Sequence, residues 1–246
     1  MQIRSRKYML TIIPVRSVDR PIRVTSGAPL VRGRLHGPRL DENMTAAGIV
    51  LCGGKSTRMG VPKATLPFGP ETMLQRVVRL LGTVVSPIVV VAAREQPLAG
   101  LPGGILVARD EREQKGPLEG LRAGLKALPN SAGIAYVTGC DVPLLVPGFV
   151  QRMIELLGDH DIAVMEIDGF THPLSAVYRR ETLPQVESLL ADDRLRPVFL
   201  LDAVRTRRVR PEEMASVDRE LRTLWNLNTP EDYLKALSEA GLSPET

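Results

Sequence analysis

Three short segments of this sequence carry residue types suited to phosphate chemistry, and two of them directly follow a run of apolar residues. The first is Leu51-Cys52-Gly53-Gly54-Lys55-Ser56-Thr57-Arg58-Met59-Gly60-Val61-Pro62-Lys63. Two adjacent glycines remove side chains and let backbone N–H groups approach phosphate oxygens. Arg58 and Lys63 add positive charge, and the Arg58 guanidinium can make forked contacts. The spacing is not that of a Walker loop, and it is not Gly-x-Gly-x-x-Gly. Gly53-Gly54 alone would suit a tight connection; Arg58, Gly60 and Lys63 shift the balance towards an anion-binding loop.

The second segment is Thr138-Gly139-Cys140-Asp141-Val142-Pro143. An Asp at the end of an apolar strand is a natural magnesium ligand, because magnesium takes one or two carboxylates and completes its shell with water and substrate phosphates. The other use of Asp141 is to cap a turn or a helix. The third segment, Trp225-Asn226-Leu227-Asn228-Thr229-Pro230, offers amide oxygens to a magnesium shell, a ribose or a phosphate. Taken alone, Asn228 and Thr229 suit a helix start better. Cys52 and Cys140 read as small buried residues at strand ends and not as nucleophiles.

The elements that must position these segments are legible from periodicity. Ala47 to Cys52 is a continuous apolar run, as expected of a central parallel strand. Further strands are expected at Ile88–Ala93, Gly104–Ala108, Ile134–Val137, Ile162–Ile167 and Leu174–Tyr178. Helices are expected at Thr72–Leu81, Leu118–Leu128, Pro147–Leu157, Arg180–Leu190, Pro197–Val204 and Pro230–Leu237, the last with Thr229 as N-cap. Alternating strands and helices imply an α/β fold with a mostly parallel sheet, whose ligands sit beyond the carboxyl ends of the strands. The loops after Cys52 and Cys140 should therefore meet at one crevice.

Composition narrows the partners. Of 32 basic and 28 acidic residues, nine and three lie in residues 1–43, so the body of the chain carries a net −2 and the basic balance belongs to the N-terminal stretch. With aromatics at 4%, nucleic-acid binding by base stacking is not expected. No apolar run is long enough to span a bilayer. Two cysteines fit a reduced, cytoplasmic protein. Residues 1–43, with four prolines and no sustained period, read as a disordered extension, with a strand at Met9–Val15 as the alternative. No small-residue cleavage site follows the apolar run Tyr8–Val15, which argues against a signal peptide. Residues 44–246 form the expected domain.

Together these segments resemble the molybdenum cofactor guanylyltransferases of the Rossmann-like nucleotidyltransferase superfamily. The family's opening Leu-x-Gly-Gly-x-Ser-x-Arg-Met-Gly-x-x-Lys is matched by Leu51 to Lys63. Its later motifs appear as Gly116-Pro117-Leu118-Glu119-Gly120, Cys140-Asp141-Val142-Pro143, His172-Pro173-Leu174 and Asn226 to Glu231. Where family members carry Asn, near the end of the second strand, this sequence reads Val89-Val90-Val91-Ala92-Ala93. The resemblance implies a three-layer α/β/α fold with a mostly parallel central sheet. It implies nucleotide contacts at Leu51, Cys52, Gly53, Gly54, Lys63, Asp110 and Asp141, with Arg58, Lys63 and Asp141 catalytic. Magnesium is expected on Asp141, with Asn228 completing its shell, and the acceptor at His172 and Asn226. The implied reaction moves GMP from GTP to the phosphate of molybdopterin and releases pyrophosphate. The implied protein partners are molybdoenzymes or other proteins of the cofactor pathway. The alternatives are a cytidylyltransferase or another sugar- or alcohol-phosphate nucleotidyltransferase of the same fold, and a non-catalytic nucleotide-binding regulator.

Overall fold

The computed structural model describes residues 45–53, 62–98, 100–111 and 115–243. The expected extension 1–43, its alternative strand, and the loop residues Gly54 and Arg58 lie outside them.

The chain begins its described course with β1 (Thr45–Leu51), then a short hairpin of β2 (Pro67–Phe68) and β3 (Glu71–Thr72). There follow α1 (Met73–Leu81), β4 (Ile88–Ala92), β5 (Leu106–Arg109), α2 (Gly116–Ala127), β6 (Ala132–Gly139) and α3 (Pro147–Leu157). The second half holds β7 (Ile162–Ile167), β8 (Phe170–Arg179), α4 (Leu183–Ala191), α5 (Val198–Ala203), β9 (Thr206–Val209) and α6 (Pro230–Glu239). Seven strands form one sheet in the order β5-β4-β1-β6-β8-β7-β9. All run parallel except β8, which is antiparallel to both neighbours.

β1 lies at the centre, with Ile49 between Val89 of β4 and Val137 of β6. Its buried residues divide between two cores, as a period of two requires. Val50, Val90, Ile134 and Tyr136 meet Val77 and Leu81 of α1 and Phe149 and Met153 of α3 on one face. Ile49, Leu51, Val89, Val91 and Val137 meet Leu118, Leu121 and Leu125 of α2, Leu189 of α4 and Leu200 of α5 on the other. This is the expected three-layer α/β/α arrangement.

One close approach matters for the site. A Cβ on Gly124 would stand 2.6 Å from Ile49 Cγ2, and one on Gly120 would stand 3.3 Å from Leu51. Two glycines one helical turn apart thus let α2 lie directly on β1, which brings the helix's first turn over the carboxyl end of that strand. A third, smaller core of Phe68, Met73, Leu144, Leu227, Ala236 and Leu237 fastens α6 to the β2–β3 hairpin beside the same end. The hairpin and β9 are additions to the sequence expectation, and β8 starts at Phe170 rather than Leu174.

Candidate active site

The carboxyl ends of β1, β4, β5 and β6 all open on one side of the sheet, and the expected residues gather there in two groups. The first group lies between β1 and β5. Leu51 O accepts from Cys140 N at 3.1 Å and Cys52 N donates to Val91 O at 2.7 Å, so the strand ladder holds the start of the loop. Gly53 then passes so near the end of β5 that a Cβ there would be 3.3 Å from Asp110 Oδ2. Asp110 is itself fixed by its backbone, N to Ala92 O at 3.1 Å, while its Oδ1 is buried with no hydrogen-bond partner. Burial raises its pKa, the charge of Glu119 raises it further, and Arg122 opposes both. Asp110 therefore presents an acceptor that the fold leaves unpaired.

Glu119 and Arg122, on the first turns of α2, are residues the sequence reading left without a role. They form an almost fully buried pair, with Arg122 Nη2 donating to Glu119 Oε1 at 2.8 Å and Nε to Oε2 at 3.0 Å. Glu119 Oε1 also accepts from Glu111 N at 3.2 Å, which ties the segment after Asp110 to α2. The visible signal was Glu119 inside the Gly116–Gly120 motif with a cation three positions on.

The second group joins three distant parts of the chain. Lys63 Nζ donates to Asp141 Oδ2 at 2.9 Å and to Asn228 Oδ1 at 2.8 Å. Lys63 opens the short turn after the loop, where Leu66 N bonds back to Lys63 O at 3.2 Å. Asp141 lies two residues past the end of β6, and its carbonyl accepts from Leu227 N at 2.9 Å. Asn228 is held from the other side, because Asp232 Oδ2 accepts from the N–H groups of Asn228 and Thr229 at 3.1 and 3.0 Å. Thr229 Oγ1 in turn accepts from Asp232 N at 3.1 Å and caps α6. The segment starts the last helix, as one reading of the sequence expected, and doing so aims Asn228 at Lys63. Asp232 is a further residue without an expected role; the Thr-x-x-Asp spacing carried it.

Upstream, buried Asp218 accepts from Arg222 N, Thr223 N and Thr223 Oγ1 at 2.9, 2.9 and 2.6 Å, and so shapes the segment that leads to Asn228. Two oxygens that share one cation are the donor chemistry a divalent ion requires. Among the described residues no group of three or more His, Cys, Asp and Glu side chains could hold a metal.

His172 stands on β8 beyond Ser175, the last residue paired with β6, and is opposite Met165 of β7 past a register shift. Its Nε2 is buried without a partner, and burial lowers its pKa, so the ring is neutral at pH 7. Asn226 is exposed and joins the group only through its carbonyl, which accepts from Asn228 Nδ2 at 3.5 Å. Cys52 and Cys140 are free thiols, buried as expected of small residues at strand ends, and Cys140 together with burial pushes the Cys52 pKa up. Beside the end of β4, Arg109 Nη1 donates to Ala93 O at 2.9 Å and to Gln96 O at 2.5 Å.

Residues 48–208 match the family of the MobA-like NTP transferase domain. The chain belongs to that family. A probable molybdenum cofactor guanylyltransferase of Mycobacterium avium is 36% identical over 203 residues, covering 81% of this chain and 98% of its own. One from Carboxydothermus hydrogenoformans is 32% identical over 197 residues, covering 80% and 96%. The crystal structure of molybdopterin-guanine dinucleotide biosynthesis protein A from Archaeoglobus fulgidus superposes with a TM-score of 0.67 at 20% identity, over 79% of this chain and 98% of that one. The chain is thus a nucleotidyltransferase grouped with the molybdenum cofactor guanylyltransferases, on the α/β fold that its sequence implied.

Proposed function

We propose that this enzyme transfers GMP from GTP to the terminal phosphate of molybdopterin. An oxygen of that phosphate forms the new bond to the α-phosphorus of GTP, the α–β phosphoanhydride bond breaks in line, and pyrophosphate leaves. The nucleophile is already an anion, so no general base is required, and catalysis is a matter of positioning and charge.

The observation that carries the reading is the convergence of Lys63, Asp141 and Asn228 on one point just beyond the carboxyl end of β6. Lys63 supplies positive charge for the β- and γ-phosphates and for the departing pyrophosphate, and by sequence Arg58 and Gly54 belong to the same cradle. Asp141 and Asn228 are the residues that would hold magnesium, which when bound neutralises phosphate charge. Asp110 supports guanine over cytosine. An ionised carboxylate only accepts hydrogen bonds, and guanine offers adjacent N–H donors that cytosine does not match. His172, neutral and unpartnered, and Asn226 are assigned to the acceptor side. The product would pass to molybdoenzymes or to other proteins of the cofactor pathway, in a reducing cytoplasm that suits two free thiols.

The test is pyrophosphate release with purified molybdopterin and GTP, CTP, ATP or UTP in turn. GTP should lead CTP by roughly tenfold or more, the cost of leaving a buried hydrogen-bonding group unpaired. Equal or faster release with CTP would remove the guanylyl assignment and keep the enzyme class. Tight GTP binding with no release from any nucleotide would remove the catalytic one.

A further inference from the structure

The two oxygens assigned above to a metal are the same two that Lys63 now holds. Asp141 Oδ2 and Asn228 Oδ1 both lie within hydrogen-bond distance of one ammonium, at 2.9 and 2.8 Å. A divalent ion cannot take those oxygens while the ammonium is in contact with them, because the two cations would compete for the same lone pairs and repel each other. We propose that Lys63 is a placeholder cation: in the nucleotide-free enzyme it keeps Asp141 and Asn228 facing each other and shuts out a divalent ion, which enters only when a triphosphate draws the ammonium onto its own oxygens. This rests on the reading of Asp141 and Asn228 as the metal's protein ligands.

Three features of the fold fit the exchange. The backbone at Asp141 and Asn228 is held without Lys63, since Leu227 N donates to Asp141 O and Asp232 accepts from the Asn228 and Thr229 N–H groups, so the two residues stay in place when the ammonium leaves. The backbone at Lys63 is anchored by buried Ala64 and the turn bond from Leu66 N, so only the long, flexible side chain has to swing. The protein's share of the metal shell is also thin. With no cluster of three His, Cys, Asp or Glu among the described residues, the site gains most of its oxygens from the triphosphate, and an ion arriving without it meets one carboxylate already neutralised. Metal loading is thereby made conditional on substrate.

The test measures binding of Mn2+ alone to the full chain, by the electron paramagnetic resonance signal of free Mn2+. Lys63→Met should bind Mn2+ roughly tenfold or more tighter than wild type without nucleotide, the reverse of what loss of a substrate-binding residue ordinarily gives. Adding Asp141→Asn to that variant should abolish the gain. Lys63→Gln is the second variant should the methionine perturb folding, with melting curves as the check. Arg76→Met is the charge control, because Arg76 Nε donates to Pro143 O at 2.8 Å, close to Asp141 but not on its carboxylate. An equal gain there would overturn the proposal in favour of a general relief of positive charge. Unchanged or weaker Mn2+ binding in both Lys63 variants would overturn it too. In that case the metal-ligand reading stands if Asp141→Asn still weakens Mn2+ binding in the presence of guanosine 5′-(α,β-methylene)triphosphate. If Asp141→Asn leaves that binding unchanged, the metal-ligand reading falls and takes the proposal with it.

Discussion

Asp110→Asn should make the protein more stable and worse at its task. Asp110 Oδ1 is buried without a partner, and burial together with Glu119 raises its pKa above the ordinary carboxylate value. A raised folded-state pKa means the native fold disfavours the ionised form. The penalty is absent below the unfolded value of about 3.9, where both states bind the proton, grows as pH rises through the folded value, and is constant above it. Asn carries no charge, nearly keeps the shape, and leaves the backbone bond from residue 110 to Ala92 O in place. An unsatisfied buried acceptor costs about 1–3 kcal/mol, and the lower end applies to a group only partly buried. A gain of about 1 kcal/mol is roughly 2–4 °C in melting temperature for a domain of this size. Nucleotide affinity should move the other way. Losing hydrogen bonds to a charged acceptor removes about 1.5–3 kcal/mol, which is roughly ten- to a hundredfold in the Kd for GTP, with a smaller effect on CTP. Calorimetric melts from pH 3.5 to 8 and titrations with each nucleotide read both effects. A variant that melts lower than wild type at pH 7 and binds GTP equally well would refute the assignment of Asp110 as an acceptor held ready for the nucleotide.

Two further outcomes are expected. Asp141→Asn should fold normally but lose turnover by a hundredfold or so, the scale of removing one charged contact at a phosphoryl-transfer site, and a near wild-type rate across magnesium concentrations would exclude it as a metal ligand. Gly124→Ala should destabilise by about 1–3 kcal/mol, because its Cβ would press on Ile49 Cγ2 at 2.6 Å inside a packed layer; denaturant unfolding reads this, and an unchanged midpoint would show that α2 can lift off β1 freely.

Much of this fold could be read from the chain because its signals are local. The helix at Pro147–Leu157 and the strand at Ile162–Ile167 have their expected bounds, since a proline opens one and an unbroken apolar run defines the other. β9 escaped notice because it is an edge strand of Thr206-Arg207-Arg208-Val209, whose pattern carries no apolar run. Arg208 is instead satisfied by Glu166 on β7, at 2.6 Å, a partner no local window contains. β5 starts at Leu106, two residues later than its apolar pattern suggests, because Gly104, with φ at +86°, belongs to the turn before it. In the site, Lys63, Asp141 and Asn228 were visible as residue types after apolar runs or before a helix. That a single ammonium joins all three was not, because the closest two in sequence are 78 residues apart. The same holds for Asp110, whose unpaired oxygen is a property of what surrounds it.

The joining of those three residues also sets when the enzyme can exist. A ribosome delivers β1 first, Asp141 after β4, β5 and β6, and Asn228 some 87 residues later still, held by a helix that begins at Pro230. At roughly 5–20 residues per second, the nascent protein spends on the order of ten seconds with its first strand made and Lys63, Asp141 and Asn228 still apart. During that time it has no assembled place for a triphosphate and a divalent ion together. A chain cut short before Asn228 would lack the contact that joins it to Lys63, and on the proposed reading it is expected to be inert rather than indiscriminately reactive.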